Sequence, residues 1–377
     1  MKIINGTLLT MNGKNYEKGY VEFEDGKITA YGDMSELNEI GSDVYDAEFG
    51  YIMPGFIDAH TCIGLREQSG GNSGNDWNEN TDPLTPHMRA IDGIYPKDAA
   101  FVSSIAAGVT SAVVAPGNMN IIGGQAALIK FRGNTVREMI VKAPCGIKMA
   151  LGEEPKAAYS SKGCAPVTRV AEVAMLRDIL TQARKYLKKR EHGQNTYNPK
   201  LEALIPLLKG EIPAIIHAQR ADDILVATGL AKEFDFKCII AHGADSARAA
   251  RYLKEENVPV VLGPILLVNL RNENENASPK TAWVLNKEDI MFAITTDHYN
   301  TPLEFLAVNA AVCIRYGLPE EEALKAITIN AAIINGVDDR IGSIEIGKDA
   351  DIVVFTGNPL RYQTKTSAVF IDGNRVY

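Results

Sequence analysis

Four of the six histidines stand at the ends of short apolar runs. They are His60 in Asp58-Ala59-His60-Thr61-Cys62, His217 in His217-Ala218-Gln219-Arg220, His242 before Gly243, and His298 in Thr296-Asp297-His298. A further run ends in carboxylates, at Gly152-Glu153-Glu154-Pro155-Lys156. A lone histidine after a strand is usually a capped or half-buried loop residue. Four of them, joined by Glu153 and Asp297, are harder to explain that way. Imidazole plus carboxylate is the ligand set of a zinc, iron or manganese site that keeps one position open for water. Such an ion lowers the pKa of its water from about 15.7 to about 7 and makes hydroxide available at neutral pH. That is hydrolytic chemistry.

The elements carrying these residues must bring their ends together. Apolar runs rich in β-branched residues recur at 52–59, 110–115, 126–131, 146–151, 213–217, 237–241, 258–262 and 291–295. Helical spacing lies between several of them, as over 167–190 and 244–256. Buried parallel strands read as continuous apolar runs, and strand–helix alternation implies parallel crossovers. Eight units predict an α/β fold, a TIM-type (β/α)8 barrel whose chemistry sits where strands end. A flavodoxin-like open sheet is the alternative, since counting runs does not prove closure. Both ends of the chain differ from the middle. Alternating segments at 2–11, 20–31, 350–355 and 368–377 are punctuated by turns such as Asn12-Gly13, Asp25-Gly26 and Asp372-Gly373. They predict a small β-sandwich domain made of 1–52 plus 343–377, around a barrel of 53–342.

Composition narrows the function classes. The 377 residues carry 39 Lys+Arg against 47 Asp+Glu, a net charge of -8, which lacks the basic footprint of a nucleic-acid binder. No stretch is long and apolar enough to span a bilayer, and no signal peptide opens the sequence. The five cysteines form no CxxC pair, so neither a disulfide framework nor a zinc ribbon is expected. A cytoplasmic protein with a small-molecule substrate, and no nucleic-acid or membrane partner, is the expectation.

The residues also carry a family resemblance. Pro54-Gly55-Phe56-Ile57-Asp58-Ala59-His60-Thr61-Cys62 resembles the PGxIDxHxH opening of the amidohydrolase superfamily, and Gly108-Val109-Thr110 resembles its second-strand GVT. Gly342-Ser343-Ile344-Glu345-Ile346-Gly347-Lys348-Asp349-Ala350-Asp351 is similar to its GxIxxGxxAD return to the β domain. The segments around Glu153 and His217 look like an imidazolonepropionase-like or prolidase-like branch. The resemblance implies a distorted barrel, a divalent metal and hydrolysis of amide or related C–N bonds, with a homodimer or higher homo-oligomer as the assembly.

Carried over by position, His60 matches the first histidine of the first-strand pair. Glu153 matches the bridging or sole carboxylate, a carboxylated lysine in many relatives. His217 and His242 match the fifth- and sixth-strand ligands, and Asp297 the general base. Cys62 stands where the second histidine of the pair belongs, and Gln219 where this branch often has histidine. Residues i and i+2 of a strand face the same way, so Cys62 could serve as a soft thiolate ligand for a second ion. The expectation is instead a packed thiol and a single ion, zinc before iron or manganese, held by Glu153, His217 and His242. Asp297 then takes a proton as hydroxide attacks the carbonyl and passes it to the departing nitrogen; its bland alternative is a helix N-cap. A heterocycle deaminase and a degenerate small-molecule-binding barrel are the rival functions.

Weaker signals complete the reading. Lys156, Arg169 and Arg220 follow active-face runs and could clamp a substrate carboxylate, though each could equally be a surface ion-pair partner. Gln219 and His298 are further substrate-facing candidates. The Gly/Asn/Ser-rich segment 67–80 reads as a substrate lid, and the amides after the second run, near Gly117 and Gly123, could bind an anion or simply form turns.

Overall fold

Two turns at opposite ends of the chain show how the terminal sheet is made. Asp25-Gly26 joins strands Tyr16–Glu24 and Lys27–Asp33, and Asp372-Gly373 joins Thr366–Ile371 and Asn374–Arg375. All four turn residues have positive φ (48°, 77°, 46° and 73°), the requirement of a two-residue hairpin whose twist matches its strands. The computed structural model describes residues 1–193, 197–267 and 272–377. In it the N-terminal strands and the C-terminal strands form one eight-stranded sheet. The seam is antiparallel, Tyr51–Pro54 against Ile352–Phe355, with Ile352 opposite Pro54 and Phe355 opposite Tyr51.

The run expected over 52–59 is therefore two strands. Tyr51–Pro54 belongs to the terminal sheet and Phe56–Thr61 to the barrel. Gly55 separates them: a Cβ there would fall 2.1 Å from Thr110, and its N–H bonds to the Asp351 carbonyl at 2.9 Å.

The barrel strands are, in order, Phe56–Thr61, Val109–Val114, Ile122–Lys130, Ile140–Ala150, Ala214–Ala218, Cys238–His242, Val260–Leu262 and Phe292–Ile294. Each pairs with its sequence neighbours. The third is antiparallel to both the second and the fourth, against the expectation of eight parallel strands. Only residues 115–121 link the second strand to the third, too few for the dozen or more that a parallel crossover needs. This is the distortion of the barrel. From the fourth strand to the eighth, pairing is parallel throughout. The first strand meets the eighth through backbone and side-chain bonds, among them Cys62 N–H to the His298 carbonyl at 2.8 Å.

Alternate strand residues fill the barrel: Ile57 and Ala59, Val113 and Ala115, Ala126 and Leu128, Ile239 and Ala241, with Ile215, Val261 and Ala293. The opposite set packs under the helices, chiefly Arg169–Glu191, Ala221–Phe234 and Ser246–Glu255. The barrel and the terminal sheet are joined by a buried ion cluster. Lys130, at the end of the third strand and fully buried, donates to Asp349 at 2.7 Å, to Asp351 at 3.0 Å and to Asp372. Arg340 and Lys27 reach Asp349 from other sides. The aspartates of the closing sequence motif are thus the counter-charges of one lysine. Among the described residues no helix is long and apolar enough to cross a membrane.

Candidate metal centre

The ends of the first, fifth, sixth and eighth strands converge. His60 Nδ1 stands 3.2 Å from Asp297 Oδ1, and His242 Nδ1 stands 3.7 Å from Asp297 Oδ2. The His242 ring is 5.0 Å from that of His60 and 4.7 Å from that of His217, centre to centre. His60, His242 and Asp297 each offer a ligand atom, all within 4.8 Å of one another. All these residues are buried.

The backbone is bent to deliver them. His242 and Asp297 both have left-handed φ, 74° and 47°. A histidine in that region is uncommon and is held by surrounding structure. Here the His242 ring Nδ1–H donates to the Gly263 carbonyl at 3.0 Å, which leaves Nε2 as the atom with a free lone pair. Asp58 supports the opposite side. Its carboxylate accepts from Thr295 Oγ1 at 2.5 Å, from Thr296 N at 2.9 Å, from Thr296 Oγ1 at 2.6 Å and from His60 N at 3.1 Å. Burial pushes Asp58 up to about 6, while those hydrogen bonds pull the other way.

The electrostatics suit a cation. His60 Nε2, both ring nitrogens of His217 and His242 Nε2 are buried without a hydrogen-bond partner. Unpartnered buried polar atoms are costly, and a metal ion would satisfy several at once. Burial lowers His60 to about 4 and drives His217 well below its ordinary value, so both rings are neutral and ligand-competent at pH 7. Burial opposes ionisation of Asp297, but His242, His60 and a bond from Asn300 outweigh it and hold the carboxyl well below the usual range. Unpartnered ring nitrogens of three imidazoles beside one carboxylate form a donor set that fits a divalent ion.

The sequence of the whole chain agrees. Residues 51–376 match the sequence model of the Amidohydrolase family. The chain belongs to that family. Within it, the fold superposes on an amidohydrolase from Thermotoga maritima MSB8 with a TM-score of 0.97 at 40% identity, covering 100% of this chain and 99% of that one. The amidohydrolase tasK of Hapsidospora irregularis is 28% identical over 94% of this chain, although the match spans only 39% of tasK. The imidazolonepropionase of Sphingopyxis alaskensis is 23% identical over 94% of this chain and 91% of its own length. These likenesses put the chain in the imidazolonepropionase-like branch of the amidohydrolases.

Against this family background, several expected residues lie elsewhere. Glu153 is outside the cluster of His60, His242 and Asp297. The fourth strand runs on to Ala150, Gly152 turns with φ 105°, and Glu153 opens helix Glu153–Ser160, half-buried, with its N–H donating to Glu273 Oε2 at 2.9 Å. The fourth-strand residue turned toward the histidines is Lys148. It is fully buried and bonds to Asn118 Oδ1 at 2.6 Å. Burial lowers it to about 8, with the charges of Asp297 and Glu154 acting against that shift. A lysine inside the apolar run 146–151 was the signal for it.

Cys62 is a buried thiol whose Sγ donates to the His298 carbonyl at 2.7 Å, and burial pushes its pKa above the ordinary value. The His298 ring Nδ1 accepts from Leu303 N–H at 3.1 Å. Gln219 Oε1 accepts from Ala244 N–H at 3.1 Å. Arg220 pairs with its neighbour Asp222 at 2.8 Å on the surface, and Arg169 with Asp223 at 2.8 Å. Lys156 lies within helix Glu153–Ser160 and makes no ion pair among the described residues. The amides after the second strand are already used: Gly117 N–H bonds to the Trp77 carbonyl at 2.6 Å and Met119 N–H to Asn78 at 3.1 Å. The segment 67–80 is thereby tied to the second strand's loop. Glu273, buried and 3.7 Å from His217 Nε2, also reaches the site from the loop after the seventh strand. It sits in a polar stretch that reads like any surface loop, so nothing in the sequence singled it out.

Proposed function

We propose that this chain is a metal-dependent amidohydrolase that hydrolyses a C–N bond of a small molecule. The observation that carries the reading is the set of buried, unpartnered ring nitrogens of His60, His217 and His242 converging beside an ionised Asp297. His60, His242 and Asp297 would hold a divalent ion, zinc before iron or manganese, with His217 facing it. When bound, such an ion acidifies water and polarises a carbonyl. The protein's own groups do the rest. Asp297 takes the proton that the attacking water releases and hands it to the departing nitrogen, so that C–O forms, C–N breaks and the amine leaves neutral. Asn300 and His60 fix the two carboxylate oxygens for that transfer.

The carboxylate that the family resemblance calls for on the fourth strand is supplied, in this reading, by Lys148. The Lys148 ammonium would first lose a proton, and the neutral amine would then add carbon dioxide and release a second proton, so that a buried cation becomes a carbamate anion facing the histidines.

The test is elemental analysis of protein purified without chelator, with His242→Ala and Cys62→Ala beside it. Bound metal in the wild type, lost in His242→Ala and kept in Cys62→Ala, is the expected result. No metal in the wild type, even after reconstitution with zinc, iron or manganese, would overturn the reading.

A further inference from the structure

Three consecutive N–H groups at the end of the fourth strand are each held by a different element. Leu151 N–H donates to the His217 carbonyl at 3.0 Å, Gly152 N–H to Glu172 Oε2 at 3.0 Å and Glu153 N–H to Glu273 Oε2 at 2.9 Å. The junction has no spare room. A Cβ on Gly152, whose φ is 105°, would fall 2.9 Å from Glu273 Oε2 and 3.1 Å from Asp223 Oδ2. Helix Glu153–Ser160 starts from this turn and is fastened again at its far end, where Tyr159 Oη donates to Asn120 Oδ1 at 2.7 Å. Asn118, two residues before Asn120, is the partner of Lys148. The helix therefore runs from the turn after the fourth strand to the loop that holds Lys148.

Glu172 is the unusual member of this junction. It is fully buried on helix Arg169–Glu191, with Oε2 on Gly152 and Oε1 without a hydrogen-bond partner among the described residues. Arg169, one turn before it, is spent on Asp223, its Nε lying 2.8 and 3.1 Å from that carboxylate's two oxygens. A buried carboxylate with one hydrogen bond is costly, whereas the protonated acid is tolerated. The charged groups facing it come from its own helix, from the helix that starts at the turn and from helix Ala221–Phe234: Arg169, Lys156 and Asp223. Glu273 meets the same turn from the loop after the seventh strand. Burial pushes Glu172 up to about 7, with the Gly152 N–H, Arg169 and Lys156 pulling against that shift and the Asp223 charge adding to it.

We propose that Glu172 is a proton-operated latch on helix Glu153–Ser160: protonated, it lets the turn at Gly152 close over it, and ionised, it lets the turn and that helix lift so that the carboxylate reaches water. The sign follows from linkage. The closed form binds the proton more tightly than the open one, in which Glu172 returns toward 4.5. Closing is thus strongest below about pH 4.5, weakens as pH rises toward about 7 and changes no further above that. Tyr159 and Asn120 are both buried, so lifting the helix admits water beside the loop that carries Asn118. None of this depends on a metal or on hydrolysis, and the latch stands apart from the hydrolase reading above.

The experiment is hydrogen–deuterium exchange of the protein as purified, from about pH 5 to about pH 8, corrected for the intrinsic pH dependence of amide exchange. In the wild type the opening of residues 151–163 should rise about tenfold or more between about pH 5 and about pH 7 and then level off. Helix Ser246–Glu255 should show no such rise. Glu172→Gln keeps the shape and the bond to Gly152 without the charge, and should give residues 151–163 a flat profile at the wild type's low-pH level. A flat wild-type profile, a rise shared by helix Ser246–Glu255 as in global unfolding, or a Glu172→Gln profile as steep as the wild type's would each overturn the latch. The first two outcomes are read on the wild type alone, whether or not the variant folds. Metal content measured on the same samples tests the hydrolase reading separately.

Discussion

The Asp58 carboxylate, on the first barrel strand, accepts both the backbone N–H and the hydroxyl of Thr296, beyond the eighth strand, at 2.9 and 2.6 Å. The barrel is closed by the residue two before His60 bonding to the residue one before Asp297. The two halves of the candidate centre are therefore held at a fixed separation by a bond that touches neither of them.

Asp58→Asn keeps the shape but presents an NH2 group where Thr295 and Thr296 also present donors. A loss of about 2–3 kcal/mol is expected for a buried polar group left facing donors, read as a lower melting temperature, together with weaker metal retention during dialysis. Unchanged stability and unchanged metal content would mean that the Asp58 bridge is dispensable.

Lys148 offers a spectroscopic prediction. Protein equilibrated with 13C-bicarbonate should show a carbamate carbonyl resonance that is absent from Lys148→Met, and bicarbonate should raise metal occupancy in the wild type only. No such resonance in the metal-loaded wild type would leave Lys148 as a buried amine.

Thiol accessibility distinguishes the roles of Cys62. Of the five cysteines only Cys164 is exposed, so a thiol reagent should titrate one group in the native protein and five after denaturation. A second group that reacts when the metal is stripped would show that Cys62 opens with the centre and is more than packing.

The ion cluster around Lys130 predicts an acid response. Burial opposes ionisation of Asp349, but Lys130, Lys27 and Arg340 outweigh it and hold it at about 2. The folded value lies below the unfolded one of about 3.9, so the stabilisation is fully present above about pH 4 and is lost as pH falls toward 2. Asp349→Asn should cost on the order of 1–2 kcal/mol at pH 7 and flatten the acid limb of the stability profile. Parallel wild-type and variant curves from pH 7 to pH 2 would falsify this assignment.

Much of the fold was legible because its signals are local. Asp-Gly turns at 25–26 and 372–373 demand positive φ wherever they occur, and the barrel strands announce themselves as apolar runs. His60, His217, His242 and Asp297 were legible because each stands at the end of such a run or within two residues of it. What escaped notice depends on geometry that residue types do not encode. An apolar run has no arrow, so the reversed third strand could be inferred only from the short link at 115–121. The placing of Lys148 in the fourth strand, with Glu153 on the helix after it, turns on where that strand stops, at Ala150, and on which of its side chains point inward. Glu273 and Asn274 are buried, although the polar stretch that carries them reads as exposed loop.

The burial of Lys130 has a consequence for how the molecule is made. Its last counter-ion, Asp372, lies 242 residues further along the chain. While a ribosome is still producing that stretch, the third strand carries a charge that cannot be taken out of water at tolerable cost. Barrel maturation therefore waits on late-arriving residues that belong to a different sheet. A cut or a bulky fusion near Asp372 would strike at a barrel strand more than half the chain away, and a nascent chain would meet chaperones with its barrel still open.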